Sequence, residues 1–167
     1  NCYLVVNAET RGCLIVDPGA EGERIIRAAQ EYKPAAVLLT HAHWDHIGAV
    51  DAVCGHFGIP LYVHEADAPK LTDSTKNVAR QFGCMEIRVL HTPGHSAGSV
   101  CYLLPQGQGV LTGDTLFAHG YGRTDFADGS FHERKESLRA LFHLSPRQVA
   151  YPGHEEAGTV GHDPAEG

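Results

Sequence analysis

Thr40-His41-Ala42-His43-Trp44-Asp45-His46 gathers three imidazoles and a carboxylate, all candidate metal ligands, into one short run. The run follows Ala35-Ala36-Val37-Leu38-Leu39, an apolar stretch that reads as a buried strand. Side chains alternate across an extended chain, so His41 and His43 point to the same side. Beyond Trp44 the apolar positions become Ile47, Ala49, Val50, Ala52 and Val53, which is a helical pattern, and Asp45 and His46 stand at its start. A strand end running directly into a helix start can aim two pairs of ligands at two adjacent points, as a two-metal site requires. The competing reading is a His-rich surface turn in a chain with 12 His. It is the weaker one, because composition alone rarely produces this spacing.

Further positions fit the same chemistry. His95 follows Thr92-Pro93-Gly94, Asp114 follows Thr112-Gly113, and His154 follows Pro152-Gly153. Five His and two Asp then make the candidate ligand set: His41, His43, Asp45, His46, His95, Asp114 and His154. Zinc takes three or four protein ligands of these types and keeps a position for water. This many ligands suits two zinc ions if one carboxylate bridges them. A two-metal centre lowers the pKa of a bound water towards neutrality and polarises a carbonyl. That combination hydrolyses an acyl compound without a protein nucleophile, and the chain carries no G-x-S-x-G elbow that would point to a serine hydrolase.

The elements that must position these residues are strands and helices in mixed order. Strands are expected at 2–7, 12–17, 35–39, 59–64, 86–91, 99–104, 109–117 and 149–151, and helices at 23–32, from Asp45 to about Phe57, and at 132–144. Pro34 is expected to stop the first helix, Glu65 to Leu71 to form a helical turn, and Ala118 to Ser130 a loop. Several strands in succession predict a mixed α/β domain whose sheets carry helices on their outer faces. Every candidate ligand follows a strand-like run, so the ligands come from loops at one edge of a rigid scaffold.

Composition bounds the rest. A chain of 167 residues is the size of one domain. Its formal net charge of −7 argues against a nucleic-acid or anionic-membrane partner. The five Cys are widely spaced without a C-x-x-C pair, which reads as reduced, mostly buried thiols in a cytoplasmic protein. No apolar run reaches about 18 residues, so no membrane span is expected.

The stretches His41-Ala-His-Trp-Asp-His46, Thr92-Pro-Gly-His95, Thr112-Gly-Asp114 and Pro152-Gly-His154 resemble the motif set of the metallo-β-lactamase superfamily, in order and spacing, over nearly the whole chain. Asp17-Pro-Gly19, Thr112-Gly-Asp-Thr-Leu-Phe117 and Gly122-Arg-Thr-Asp-Phe126 look most like its glyoxalase II group, in the short bacterial form. The resemblance implies an α/β fold of the four-layer αβ/βα sandwich type, two sheets face to face with helices outside. It implies one such domain over residues 1–167, without the C-terminal helical domain that grips glutathione. It assigns His41, His43 and His95 to a first metal and Asp45, His46 and His154 to a second. Asp114 bridges the two, and Asp45 also orients the attacking water.

The implied cofactors are two divalent ions, with zinc the default and iron or manganese admissible. The implied reaction is attack of a metal-bound hydroxide on a small-molecule thioester such as S-lactoylglutathione. Alternatives are a persulfide dioxygenase with one iron, a lactonase, or a metal-binding scaffold without activity. Against family members, residues are absent just before Met85, where Phe82-Gly83 runs almost straight into the next strand.

Three more readings concern single residues. Arg123 suits either an anionic substrate group or an ion pair with Asp125 or Asp128. Trp44, between ligands, suits stacking on a substrate, but packing that fixes its loop is the stronger expectation. Asp17-Pro18-Gly19 reads as a turn or as a support for the ligands.

Overall fold

The computed structural model describes residues 1–71, 85–143 and 147–161. The chain divides into two compact units, Asn1–Glu86 and Ile87–Gly167.

The first unit is a four-stranded sheet in the order β1-β2-β3-β4, formed by β1 (Tyr3–Val6), β2 (Gly12–Val16), β3 (Lys33–Leu38) and β4 (Leu61–Tyr62). β1 and β2 are an antiparallel hairpin, whereas β2, β3 and β4 run parallel. Parallel neighbours need crossovers, and helices supply them: α1 (Gly22–Ala29) between β2 and β3, then α2 (Trp44–Ile47) and α3 (Val50–Phe57) between β3 and β4. Cys13, Ile15 and Val37 from the strands and Leu39, just past β3, pack with Ile25, Ala29, Val50 and Val53 from the helices in one core. Their continuous apolar runs are what strands buried on both faces require.

Pro34 does not end a helix. It lies inside β3, paired with Cys13, where the register slips between Cys13 and Leu14. A proline has no N–H for the ladder, and a bulge accommodates that loss. The single helix expected after the His-rich run is two. Gly48 lies so close to Gly19 that a Cβ there would meet the Gly19 carbonyl oxygen at 2.3 Å. Ala49 N–H donates to Pro18 O (2.9 Å), breaking the helical ladder.

The parallel pairing decides where the site residues emerge. Val16 is paired with Leu38, so β2 and β3 end side by side, and Asp17 N–H donates to Leu38 O (3.0 Å). Asp17 and Thr40-His41 therefore leave the sheet at the same carboxyl edge, where open parallel sheets place their ligands.

The second unit is a five-stranded sheet in the order β5-β6-β7-β8-β9, formed by β5 (Arg88–His91), β6 (Val100–Leu103), β7 (Val110–Gly113), β8 (Val149–Pro152) and β9 (Gly158–Thr159). Helix α4 (Phe131–Phe142) lies in the connection between β7 and β8, which pair in parallel. Cys101, Val110, Leu116, Leu141, Ala150 and Val160 form the core. The expected strand 109–117 is shorter than its apolar run. Gly113 turns at φ +51° and Thr115 N–H closes onto Thr112 O. β7 and β8 again end together, Gly113 opposite Pro152, and Gly153 N–H donates to Gly113 O (2.8 Å).

Ser130 caps α4, its hydroxyl accepting from Glu133 N–H at 3.2 Å, in the S-x-x-E pattern of Ser130 and Glu133. Ser130→Ala is expected to cost about 1 kcal/mol, read as a lower urea midpoint at unchanged slope. The expected helix end at Leu144 and the join ahead of Met85 lie outside the described residues. Among the described residues no helix is long and apolar enough to cross a membrane.

Candidate metal centre

In the first unit the loop after β3 carries His41, His43, Asp45 and His46. The ring centroids of His41 and His43 are 4.8 Å apart, and those of His41 and His46 are 4.1 Å apart. The buried Asp17 carboxylate organises them. Its Oδ1 accepts from Thr40 N–H (2.8 Å), and its Oδ2 accepts from the Thr40 hydroxyl (2.6 Å) and from His46 Nδ1 (3.0 Å).

These contacts set the tautomers. The Thr40 hydroxyl spends its one hydrogen on Asp17, so His41 Nδ1, 3.1 Å away, must be the donor to the Thr40 oxygen. Both rings therefore carry their proton on Nδ1 and offer the lone pair of Nε2. Carboxylate and hydroxyl partners hold metal-binding imidazoles in this way. Asp17 takes a positive φ of 51°, a conformation that an Asp tolerates better than most residues. Asp17 is thus a support for the ligand loop and more than a turn residue.

Two further restraints hold the loop. Asp67 is fully buried and accepts from Ala42 N–H, between His41 and His43, at 2.8 Å. Lys70 pairs with its other oxygen at 3.1 Å. On the far side a Cβ at Gly19 would lie 1.8 Å from the Asp45 carbonyl oxygen. The Asp45 side chain remains 31% exposed, with Oδ2 3.7 Å from His46 Nε2. Trp44 does not pack: it is 83% exposed. Its loop is fixed by the polar contacts of its neighbours, which leave the indole no fixing role.

In the second unit Asp114 stands at the end of β7. Its Oδ2 lies 3.3 Å from His95 Nε2 and 3.4 Å from His154 Nε2. One carboxylate oxygen thus faces two imidazoles, and His154 is brought there because β7 and β8 end together. His95 Nδ1 donates to Arg123 O at 2.7 Å, which again leaves Nε2 as the ligand atom. A Cβ at Gly122 would meet Asp114 O at 2.2 Å and His95 Nδ1 at 2.7 Å, so only glycine fits there. Arg134 braces this glycine. It is buried, stacks on Tyr121 at 3.8 Å and donates to Gly122 O.

Arg123 itself points outward. Its guanidinium grips Asp125 with two hydrogen bonds of 2.5 Å, and this partner holds the Asp125 carboxyl down at about 2. Its backbone, rather than its charge, contacts a candidate ligand.

Imidazole Nε2 atoms and carboxylate oxygens are donors that zinc, iron and manganese all accept, so these residues fit divalent cations. Asp67 and Arg134 escape sequence reasoning, and Gly122 enters it only as part of a resemblance, without its contact to His95. Each acts through a contact made by folding, and none stands in a spacing that marks a ligand.

Residues 1–154 match the family model described as the metallo-beta-lactamase superfamily. A probable metallo-hydrolase of Bacillus subtilis is 36% identical, covering 92% of this chain and 84% of its own. The hydroxyacylglutathione hydrolase GloC of Haemophilus influenzae is 30% identical, covering 98% and 89%. Its alignment spans 189 positions, more than the 167 residues of this chain, so that relative has internal residues without counterparts in it.

Among solved structures, the BLEG-1 B3 metallo-beta-lactamase is 33% identical with a TM-score of 0.86, over 99% of this chain and 93% of that one. TTHA1623, in a di-iron-bound form, is 34% identical with a TM-score of 0.86, over 96% and 90%. ETHE1 from Myxococcus xanthus is 31% identical with a TM-score of 0.84, over 95% and 74%.

Proposed function

Because this chain belongs to the metallo-β-lactamase superfamily, we propose that it is a dinuclear metal-dependent hydrolase that cleaves glutathione-type thioesters such as S-lactoylglutathione. The proposed ligands are His41, His43, Asp45 and His46 from the first unit and His95, Asp114 and His154 from the second. The observation that carries the two-metal reading is the Asp114 oxygen facing both His95 and His154. A mononuclear persulfide dioxygenase, with two His and one Asp on iron, has no use for the full set. The GloC relative supports the thioester.

The chemistry that two bound divalent cations supply is an activated water near neutral pH and polarisation of the acyl carbonyl. The chain's own residues do the rest. Asp17 and Thr40 keep the protons of His46 and His41 on Nδ1, and the Arg123 carbonyl does the same for His95. Asp45, clamped through its carbonyl and partly exposed, accepts a hydrogen bond from the attacking water and so fixes its direction. The water oxygen bonds to the acyl carbon, the carbon–sulfur bond breaks, and the thiol leaves with a proton.

Zinc is the default pair, and iron is a strong second because TTHA1623 binds two irons. The same reading takes residues 1–167 as one catalytic domain working in the cytoplasm on a small molecule, with neither nucleic acid nor membrane as partner. Arg123 remains a proposed contact for an anionic group of the substrate, reached by release of Asp125.

The test is hydrolysis of S-lactoylglutathione by metal-loaded protein, with metal counted per chain. Two metals and turnover are expected, and His43→Ala is expected to lose at least about 100-fold in kcat/KM together with bound metal. One iron with oxygen uptake on glutathione persulfide would replace this reading by the dioxygenase. Turnover of a β-lactam or a lactone alone would replace it by those activities.

A further inference from the structure

Everything that fixes the ligand loop of the first unit is in place without Trp44. Asp17 holds Thr40, Asp67 holds Ala42 N–H, and Gly19 abuts the Asp45 carbonyl. His46 N–H closes the turn on His43 O at 2.9 Å. Yet the largest side chain of the loop is 83% exposed. Tryptophan is on average among the more buried residues, and this one is joined by peptide bonds to His43 and Asp45. Adjacent Cα atoms are about 3.8 Å apart, so a substrate engaged by those two residues lies close to the backbone that carries the indole. The backbone beneath it is pinned on both sides, so the ring stands on a preorganised base.

An indole offers a broad flat surface whose π face is electronegative. That face therefore favours apolar or aromatic groups over a carboxylate. We infer that Trp44 is a specificity-determining residue that stacks on an apolar acyl group, so that thioesters with an aryl or longer alkyl acyl group are preferred over acetyl ones. This rests on the thioesterase reading above and names the acyl class within it.

Trp44 is the chain's single tryptophan, so its fluorescence reports on this position alone. Metal-loaded protein is titrated with S-hexylglutathione, a thioether that cannot be hydrolysed, and kcat/KM is measured for S-phenylacetyl- and S-acetylglutathione. A saturable change in fluorescence is expected. The phenylacetyl-to-acetyl ratio of kcat/KM is expected to fall about tenfold in Trp44→Ala, through KM, and to stay within about threefold in Trp44→Phe.

An unchanged ratio in Trp44→Ala would overturn the inference. So would unresponsive fluorescence, or loss of bound metal in that variant, which would mark a purely structural residue. A wild type that turns over no thioester, yet shows saturable fluorescence with S-hexylglutathione, would sink the thioesterase reading while supporting apolar recognition at Trp44.

Discussion

Asp17→Asn is expected to lower kcat/KM for the thioester and metal affinity each by about 10- to 100-fold. The carboxylate takes three hydrogen bonds, all as acceptor, from Thr40 N–H, the Thr40 hydroxyl and His46 Nδ1. An amide must put its NH2 where one of the two oxygens was. Over Oδ2, it faces the donors that set both tautomers. His46 would then move its proton to Nε2, the atom that should bind metal, and the Thr40 hydroxyl would turn away from its role towards His41. Over Oδ1, it faces Thr40 N–H and leaves that buried group unsatisfied at a cost of about 1–3 kcal/mol. Asn tolerates the positive φ at this position, so the effect isolates the hydrogen-bonding pattern from the backbone. Competition for metal with a chelator, alongside a urea titration, separates the two contributions. Wild-type metal affinity in the variant would refute the role of Asp17 in setting the tautomers.

Gly19→Ala is the second large effect, and it acts through shape. The added Cβ would lie 1.8 Å from the Asp45 carbonyl oxygen, 2.8 Å from its carbon and 3.3 Å from His46 Cα. All three are backbone atoms and cannot rotate aside as a side-chain tip can. The loop after β2 and the start of α2 must separate by more than about 1 Å to restore an ordinary contact. Overpacking of this kind costs about 3 kcal/mol, which corresponds to roughly 6–12 °C in Tm for a chain of this size. Asp45 and His46 ride on the displaced backbone, and a misplacement of about 1 Å costs about 100-fold in rate. Gly55→Ala is the control: it lies in α3 with nothing within 4 Å of its Cβ. It is expected to gain a few tenths of a kcal/mol by helix propensity, at about unchanged activity. Equal Tm values for the two variants would contradict the close approach of Gly19 to Asp45.

The candidate ligands are legible because they are packed into short motifs. His41-x-His43-x-Asp45-His46, and the Pro-Gly-His runs at His95 and His154, announce themselves by type and spacing, and the apolar runs before them announce strands. Much of the element order follows from the same periodicity. The differences arise where one residue's local preference meets a tertiary contact. Pro34, by its type a helix stop, instead enters β3 at a bulge. The helix after Trp44 breaks at Gly48 because Gly19 presses on it. Trp44, by its size a packing residue, is exposed.

Sequence alone thus pointed to the family, to the candidate ligands and to most of the elements that carry them. These depend on chemistry confined to a few adjacent residues. Only the folded structure decided what those ligands lean on. Asp17 meets His46 across a separation of 29 residues. It does so because β2 and β3 run parallel and end together. His95 meets the Arg123 carbonyl 28 residues on, through a space that only Gly122 leaves open. Partners of this kind are chosen by strand register and by the absence of a side chain. Neither leaves a mark in the local pattern of residues.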